Sequence, residues 1–290
     1  MTACPWCKSE DTHPYLEVKD LFLSQETFAV LQCDHCGLLF TDPRPDAEHI
    51  GAYYESDEYL SHQENKKGFV PKIYERVKTI NLKNKRKMAL QGITSGRLLD
   101  IGCGVGDFLR VVKDSGWEVA GIEPSVTAQS IAAKRLGFTP LAPSEASTLA
   151  DASFDVITMW HVLEHVDDLH GQVESLVRLL KPGGRLVIAL PNYQSYDATF
   201  YQAHWAAWDV PRHLNHFNRD FLVSTLSGFG FKHIDTQCLK WDAYYISFLS
   251  ERYLSHRIPL LRGAYRGLIS NGKAHRSGQY SSLVYRFYKP

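Results

Sequence analysis

No stretch of this 290-residue sequence reaches the roughly 18 uninterrupted apolar residues that a membrane-spanning helix requires. The opening Met1-Thr2-Ala3-Cys4-Pro5 has neither the charged nor the apolar region of a secretory signal, so a cytoplasmic location is expected. Neither sign of charge prevails. With 32 basic and 32 acidic side chains, the global basic field that usually accompanies nucleic-acid binding is missing. Internal repeats and low-complexity tracts are missing too. Cysteine is scarce, and six in a chain of this length do not make a disulfide scaffold. An apolar fraction of 44% is enough for a core without such staples, which argues against disorder.

Four of the six cysteines form two pairs, Cys4-Pro5-Trp6-Cys7 and Cys33-Asp34-His35-Cys36, with 25 residues between them. Two residues between thiolates let a tight turn aim both sulfurs at one ion, and four thiolates close a tetrahedron. Gly37 is free to take the positive φ such a turn often needs. A structural zinc ribbon over 1–44 is expected, with a short hairpin between the pairs. Reduced unliganded thiols and a redox pair are the alternatives. Asp42-Pro43-Arg44-Pro45 ends this unit. A helical linker over 45–92 follows, with an aromatic stretch at 53–59 and then a basic one. Between Lys66 and Lys87 nine Lys or Arg stand against the single Glu75, which reads as a solvated helix face or an anion-binding surface.

From Gly96 onward short apolar runs alternate with amphipathic segments, the pattern of a doubly wound α/β domain, here over 93–290. Strands are expected at 97–101, 118–122, 138–142, 154–159, 185–190, 233–239 and 281–288. They imply a Rossmann-like, seven-stranded, mostly parallel sheet. A helix at 219–227 and an aromatic helical excursion from 243 to about 270, within a substrate-side insertion near 241–279, complete the pattern.

The most informative segment is Leu98-Leu99-Asp100-Ile101-Gly102-Cys103-Gly104-Val105-Gly106-Asp107. A buried strand runs into a glycine turn and then a helix, as nucleotide sites of Rossmann-like folds require. The third glycine of a dinucleotide fingerprint is absent, because Asp107 stands three residues after Gly104. The carboxylate of Asp100 at the strand mouth would repel a pyrophosphate and attract the ammonium and sulfonium of S-adenosylmethionine. Glu123, 23 residues later at the end of the next strand, can accept protons from both hydroxyls of a ribose. A purely structural turn with a solvated Glu123 is the bland alternative.

These residues carry a resemblance. The runs LLDIGCGVGDFL, GIEPS, SFDVITMWHVLEHVDD and LLKPGGRLVIALPN are similar, in order and spacing, to the successive motifs of class I S-adenosylmethionine-dependent methyltransferases of the small-molecule type. The cysteine ribbon with an aromatic stretch after it resembles the architecture of some sugar C-methyltransferases. The resemblance implies that Asp100, Gly102, Cys103, Gly104 and Gly106 hold the methionine end of the cofactor and that Glu123 and Pro124 hold its ribose. By the same resemblance Glu145 and Ala146 lie at the adenine, and Met159, Trp160 and His161 lie under the sulfonium. Quinone O-methyltransferases of this type often have Glu where His161 stands, a departure that weakens transfer of their substrate or their proposed metal site.

A methyl on sulfonium is already activated, so the protein must align a nucleophile, exclude water and, if needed, remove a proton. Histidine titrates near neutrality without perturbation, and His161, His165, His213 and His216 concentrate near the expected site. His161, His165 and the adjacent Glu164 suit a base, a hydrogen-bond network or a weak metal site. His213 and His216, in Pro211-Arg212-His213-Leu214-Asn215-His216-Phe217, are the further candidates as catalytic groups, with loop pinning as the alternative. Tyr201, His204, Trp205, Trp208, Tyr244, Tyr245 and Phe248 form either an aromatic wall or packing. The expected function is methyl transfer to an oxygen or carbon of a sugar-, quinone- or phenol-like small molecule. An RNA or ribosome methyltransferase docking through the ribbon and basic segment is one rival, although Met-Trp-His-Val replaces the Asn-Pro-Pro-Tyr-type tetrad of amino-group methylation. A catalytically silent S-adenosylmethionine-binding module is another.

Overall fold

The structure, a computed structural model, describes residues 2–46, 49–54 and 69–290, with no side-chain description for 69–75. Residues 55–59 of the aromatic stretch and 66–68 of the basic one therefore lie outside the described residues. Strands β1 (Thr12–Lys19) and β2 (Thr27–Cys33) form an antiparallel hairpin. Its turn is organised by Asp20, whose carboxylate accepts the backbone N–H groups of Phe22, Leu23 and Ser24 at 3.1, 3.2 and 2.9 Å. β3 (Leu39–Asp42) pairs with β2.

The helix α1 (Phe69–Leu90) leads into the larger sheet. There β4 (Arg97–Ile101), α2 (Asp107–Lys113), β5 (Glu118–Ile122) and α3 (Val126–Leu136) make the first β-α-β-α passage. β6 (Phe154–Trp160), α4 (Leu169–Leu179), β7 (Leu180–Pro191) and α5 (Tyr196–Tyr201) follow. The chain then passes through β8 (Asn215–His216), α6 (Arg219–Gly228), β9 (Lys232–Cys238), α7 (Asp242–Tyr253), α8 (Pro259–Ser277) and β10 (Ser282–Tyr288). The larger sheet has the order β5-β4-β6-β7-β10-β9, parallel from β5 to β7, with β10 antiparallel to both neighbours. Side-chain caps start several of its helices: Ser125 accepts from Ala128 N–H, Asp168 from Gly171 N–H, and Asn218 from Phe221 N–H.

This is a Rossmann-like mixed sheet of six strands, where seven were expected. The missing strand is 138–142, reduced to one parallel bridge between Leu141 and Ile122. Pro140 and Pro143 bracket Leu141 and offer no N–H groups, so only Leu141 N–H to Gly121 O and Glu123 N–H to Leu141 O form there. The single helical excursion expected from 243 to 270 is two helices, α7 and α8. The break falls at Ser255, with φ +55, and Pro259 occupies the first turn of α8. Among the described residues no helix is long and apolar enough to cross a membrane.

The two sheets are tied together. β8 is the fourth strand of the small sheet, pairing Leu39 with His216 and Phe40 with Asn215. Arg212 donates to Asp20 across 2.8 Å with both side chains buried. Trp6, between the first two cysteines, stacks on His170 at 3.8 Å, and His170 Nε2 donates to Trp6 O. Val18, Phe28 and Val30 of the hairpin share a core with Tyr201, Trp205 and Trp208.

Candidate functional site

At the carboxyl end of β4 the glycine loop turns sharply, and its three glycines do different work. Gly102, with φ +71, lies so close to Val162 that a Cβ would sit 2.4 Å from its side chain. Gly106, with φ +80, packs against Leu136 and Ala132 of α3. Gly104, with φ +52, faces open space. A ligand can therefore lie against bare backbone at Gly104. Cys103 is buried, its Sγ packed where a Cβ on Gly121 would intrude, and burial pushes its thiol pKa up.

Two buried carboxylates flank this loop. Asp100 accepts from Thr158 Oγ1 at 2.6 Å. Burial pushes its pKa up to about 7, against the opposing pull of the Thr158 hydroxyl and the Lys85 ammonium. Glu123 accepts from Gly104 N–H at 2.8 Å and Ser125 N–H at 2.9 Å, which fixes the carboxylate while leaving further lone pairs free. Pro124 is exposed beside it. Glu145 folds back on its own turn, accepting from Ala142 N–H at 2.8 Å, while Ala146 packs partly against the core. Met159 is fully buried, so its side chain belongs to the core. Trp160 packs edge-on against Phe108 with Lys85 Nζ 4.9 Å from its ring centre, and its Nε1 finds no hydrogen-bond partner among the described residues. The basic character of α1 is thus partly spent internally: Lys85 turns to this site and Lys78 pairs with Asp107 at 2.7 Å.

Next to the loop, beyond the ends of β6 and β7, lies a cavity of about 350 Å³. Its lining combines the apolar Pro191, Ile246 and Leu249 with the polar His161, Glu164, Asp209, Arg212, His213 and Asp242. Phe22 of the N-terminal hairpin and Tyr245 and Tyr253 of α7 border it. His161, held at φ +61, lies with Nε2 3.0 Å from Asp242 and Nδ1 3.4 Å from Glu164. Burial works against its protonation, but the two carboxylates prevail and raise its pKa to about 9. At neutral pH it is an imidazolium. His161 and His165 do not share an α-helical face, because Leu163–His165 is a 3-10 turn.

His213 is buried and donates Nδ1–H to Ala207 O at 2.9 Å, so Nε2 carries the lone pair. Burial and the nearby His165 lower its pKa to about 4, although Asp209 Oδ2 and Glu164 Oε1 stand 3.9 and 4.0 Å from Nε2. His216 does not line the cavity. The Thr41 hydroxyl donates to His213 O at 2.7 Å, so His216 Nε2 donates to that hydroxyl at 3.1 Å and pins the loop to β3. His165 donates Nδ1–H to Arg212 O at 2.9 Å. Glu164, His165 and His213 bring their ligand atoms within 4.8 Å of one another. The aromatics before the loop are packing: Tyr201, Trp205 and Trp208 are buried, and each polar atom is satisfied, by Glu251, Asp197 and Gln202 O.

Sequence reasoning did not find Asp242, Asp209 or the lack of hydrogen-bond donors at Glu164, whose one close cation among the described residues is His161 at 3.4 Å. Both Glu164 oxygens are buried without a hydrogen-bond partner among the described residues. Asp242 lies 81 residues from His161, and no local pattern signals their meeting. Asp209, at φ +40, accepts from Arg212 at 2.8 Å.

Cys4, Cys7, Cys33 and Cys36 converge, with all four sulfurs within 4.8 Å of one another. Cys4 Sγ lies 3.6 Å from Cys36 Sγ and Cys7 Sγ lies 3.4 Å from Cys33 Sγ. These spacings approach the roughly 3.8 Å edge of a tetrahedron with zinc–sulfur bonds of about 2.3 Å.

Residues 73–236 match the family model described as a methyltransferase domain. The chain is 34% identical over 137 residues to malonyl-[acyl-carrier protein] O-methyltransferase of Enterobacter lignolyticus, covering 46% of this chain and 53% of that protein. It is 32% identical over 146 residues to ubiquinone biosynthesis O-methyltransferase of Paraburkholderia phymatum, covering 47% of this chain and 63% of that protein. The chain thus spans little more than half the length of these curated relatives. Among solved structures, phosphoethanolamine N-methyltransferase 2 of Haemonchus contortus, in complex with S-adenosyl-L-methionine, aligns at a TM-score of 0.54 and 17% identity. That alignment covers 96% of this chain and 68% of the other, and it shows a shared fold.

Proposed function

The chain belongs to the family of methyltransferase domains, and from that premise we propose that it moves a methyl group from S-adenosylmethionine to an oxygen or carbon nucleophile of a small molecule. The observation that carries this reading is the open backbone at Gly104 between two buried carboxylates, Asp100 and Glu123, beside a largely apolar cavity that also holds titratable side chains. When bound, S-adenosylmethionine supplies an activated methyl on a positively charged sulfur. Asp100 suits its ammonium and sulfonium charges, and Glu123 has acceptor capacity left for ribose hydroxyls. The orphaned Trp160 Nε1 is a further donor at the site. Pro124, Glu145, Ala146 and the backbone of Met159 border the adenosine in this reading.

His213 Nε2 would take the acceptor's proton while the acceptor receives the methyl group that the sulfonium gives up on becoming a neutral thioether. Asp209 and Glu164, each about 4 Å away, stabilise the imidazolium that results. A base this weak suits an acidic hydroxyl such as a phenol or enol. Glu164, buried without a hydrogen bond among the described residues and with only Oε1 near His161, receives the hydrogen bond of a neighbouring hydroxyl. His161, already protonated, is a donor that positions the acceptor. His216 acts through the loop it pins. The relatives named for quinone biosynthesis and the largely apolar lining of the cavity both favour a phenol- or quinone-like acceptor with an apolar body.

The four cysteines form a structural zinc site in this reading: the donor set is all thiolate and closed, which leaves no position for substrate. The chain divides into a ribbon at 1–44, a linker at 45–92 and a transferase unit at 93–290, and β8 is the strand that the third part lends to the first. The protein works in the cytoplasm. Calorimetry tests the cofactor: Glu123→Ala should weaken S-adenosylmethionine by roughly 1.5–3 kcal/mol, the range for hydrogen bonds to a charged group. Unchanged affinity would move the ribose elsewhere, and tighter binding of NADH than of S-adenosylmethionine would overturn the reading. Release of S-adenosylhomocysteine with a phenolic acceptor set separates an enzyme from a silent binding module.

A further inference from the structure

Helix α8 is built inside out. A helix on a water-soluble surface ordinarily turns its large apolar residues inward, yet α8 turns its small ones in. Gly263, Gly267, Ser270 and Ala274 form the buried stripe. Gly263 and Gly267 approach α7 so closely that a Cβ would lie 2.5 Å from the Phe248 backbone and 2.8 Å from that of Tyr244. The outward face carries Leu260, Leu261, Tyr265 and Leu268, exposed by 63, 66, 61 and 60%. Ile258 just before the helix and Trp241 just before α7 are exposed as well. Scattered single apolar residues need no explanation, but a row along one helix face does.

The helix itself carries charge of one sign. From Arg257 to Arg276 the sequence contains five Lys or Arg and no Asp or Glu. Arg266 lies flat over Phe200, 3.9 Å from its ring centre, and Arg262 reaches back to Glu251 at 2.6 Å. Arg257 and Arg276 are exposed. An outward apolar row edged by cations is the pattern of a helix that lies in the headgroup region of an anionic bilayer. A second copy docking through the same face would set these cations against their own counterparts, which a two-fold interface penalises.

We propose that the α7–α8 hairpin docks on an anionic lipid surface through Leu260, Leu261, Tyr265 and Leu268. Tyr245 of α7 is half exposed and also borders the cavity, so this contact brings the cavity's rim to the bilayer interface. The inference goes beyond methyl transfer and does not depend on it.

Co-sedimentation of the full chain with lipid vesicles is the test. Vesicles of phosphatidylcholine containing about 30% phosphatidylglycerol should carry the protein down at roughly 0.1 M salt, with much less binding at about 0.5 M salt or to phosphatidylcholine alone. The pair Leu261→Glu and Leu268→Glu should lower the partition coefficient by about 10-fold or more with far-UV circular dichroism unchanged, since both sites are solvent-facing. Arg257→Gln with Arg276→Gln should weaken binding to the anionic vesicles alone. Absence of sedimentation with either vesicle overturns the proposal. So does light scattering that shows a dimer abolished by Leu261→Glu, which would assign the face to a second copy.

Discussion

Asp100 is the residue whose environment most directly couples binding to pH. Burial sets its pKa at about 7, so near neutrality a large fraction is protonated in the free protein. A cationic ligand prefers the ionised form. Affinity for S-adenosylmethionine should therefore rise as pH climbs through about 7, with proton release on binding below that pH. Calorimetry in buffers of different ionisation enthalpy reads both, and a flat affinity between about pH 5.5 and 8 would place the cofactor's charge away from Asp100. His213 gives a second pH signature. Its lowered pKa, about 4, moves the acid limb of the rate profile well below histidine's ordinary value. His213→Asn should lower turnover by about 100-fold with cofactor affinity nearly unchanged, and should remove that limb. A variant that retains both would return the base to another group. Chemistry of this kind is half legible in sequence. The imidazole is visible at once, but its pKa depends on Ala207, His165, Asp209 and Glu164, which folding alone assembles.

At the scale of elements, the His161 bridge joins the end of β6 to the first turn of α7. Its folded pKa, about 9, exceeds the ordinary 6.5, so the stabilisation is fully present below about 6.5 and is lost as pH rises through about 9. Asp242→Asn should lower the thermal midpoint at pH 6, and the gap from the unaltered protein should shrink toward pH 10. Parallel curves would mean that the pair does not titrate as a unit. The cysteine turns make a separate prediction. Metal analysis of reduced protein should find about one zinc per chain, and a chelator should unfold the small sheet, read by the fluorescence of Trp6, while the larger sheet's circular dichroism persists. Protein without stoichiometric zinc would refute the site. Regular elements were legible where local patterning decides them, as at 97–101, 118–122 and 219–227. The strand expected at 138–142 was misread because an apolar run looks alike with or without N–H groups to pair. The break between α7 and α8 depends on Ser255 and on how two glycines in α8 fit against α7, and aromatic content does not reveal it.

At the scale of the whole molecule, two stretches separated by about 170 residues of sequence close one sheet, β3 with β8. The cysteine spacing announced a separate N-terminal unit, but nothing near residue 215 announced a strand, since two residues carry no period. Behind that short pairing stand His213 and, from the hairpin turn, Phe22, both on the cavity. Through Phe22 the N-terminal hairpin is therefore part of the cavity wall. In evolutionary terms the N-terminal hairpin should not be freely exchangeable: if the proposed acceptor lies in this cavity, a recombination that replaced the hairpin with a foreign one should alter acceptor preference along with stability. Its divergence should then follow that of the 209–217 loop, and a chimera should recover activity only when both segments come from the same parent.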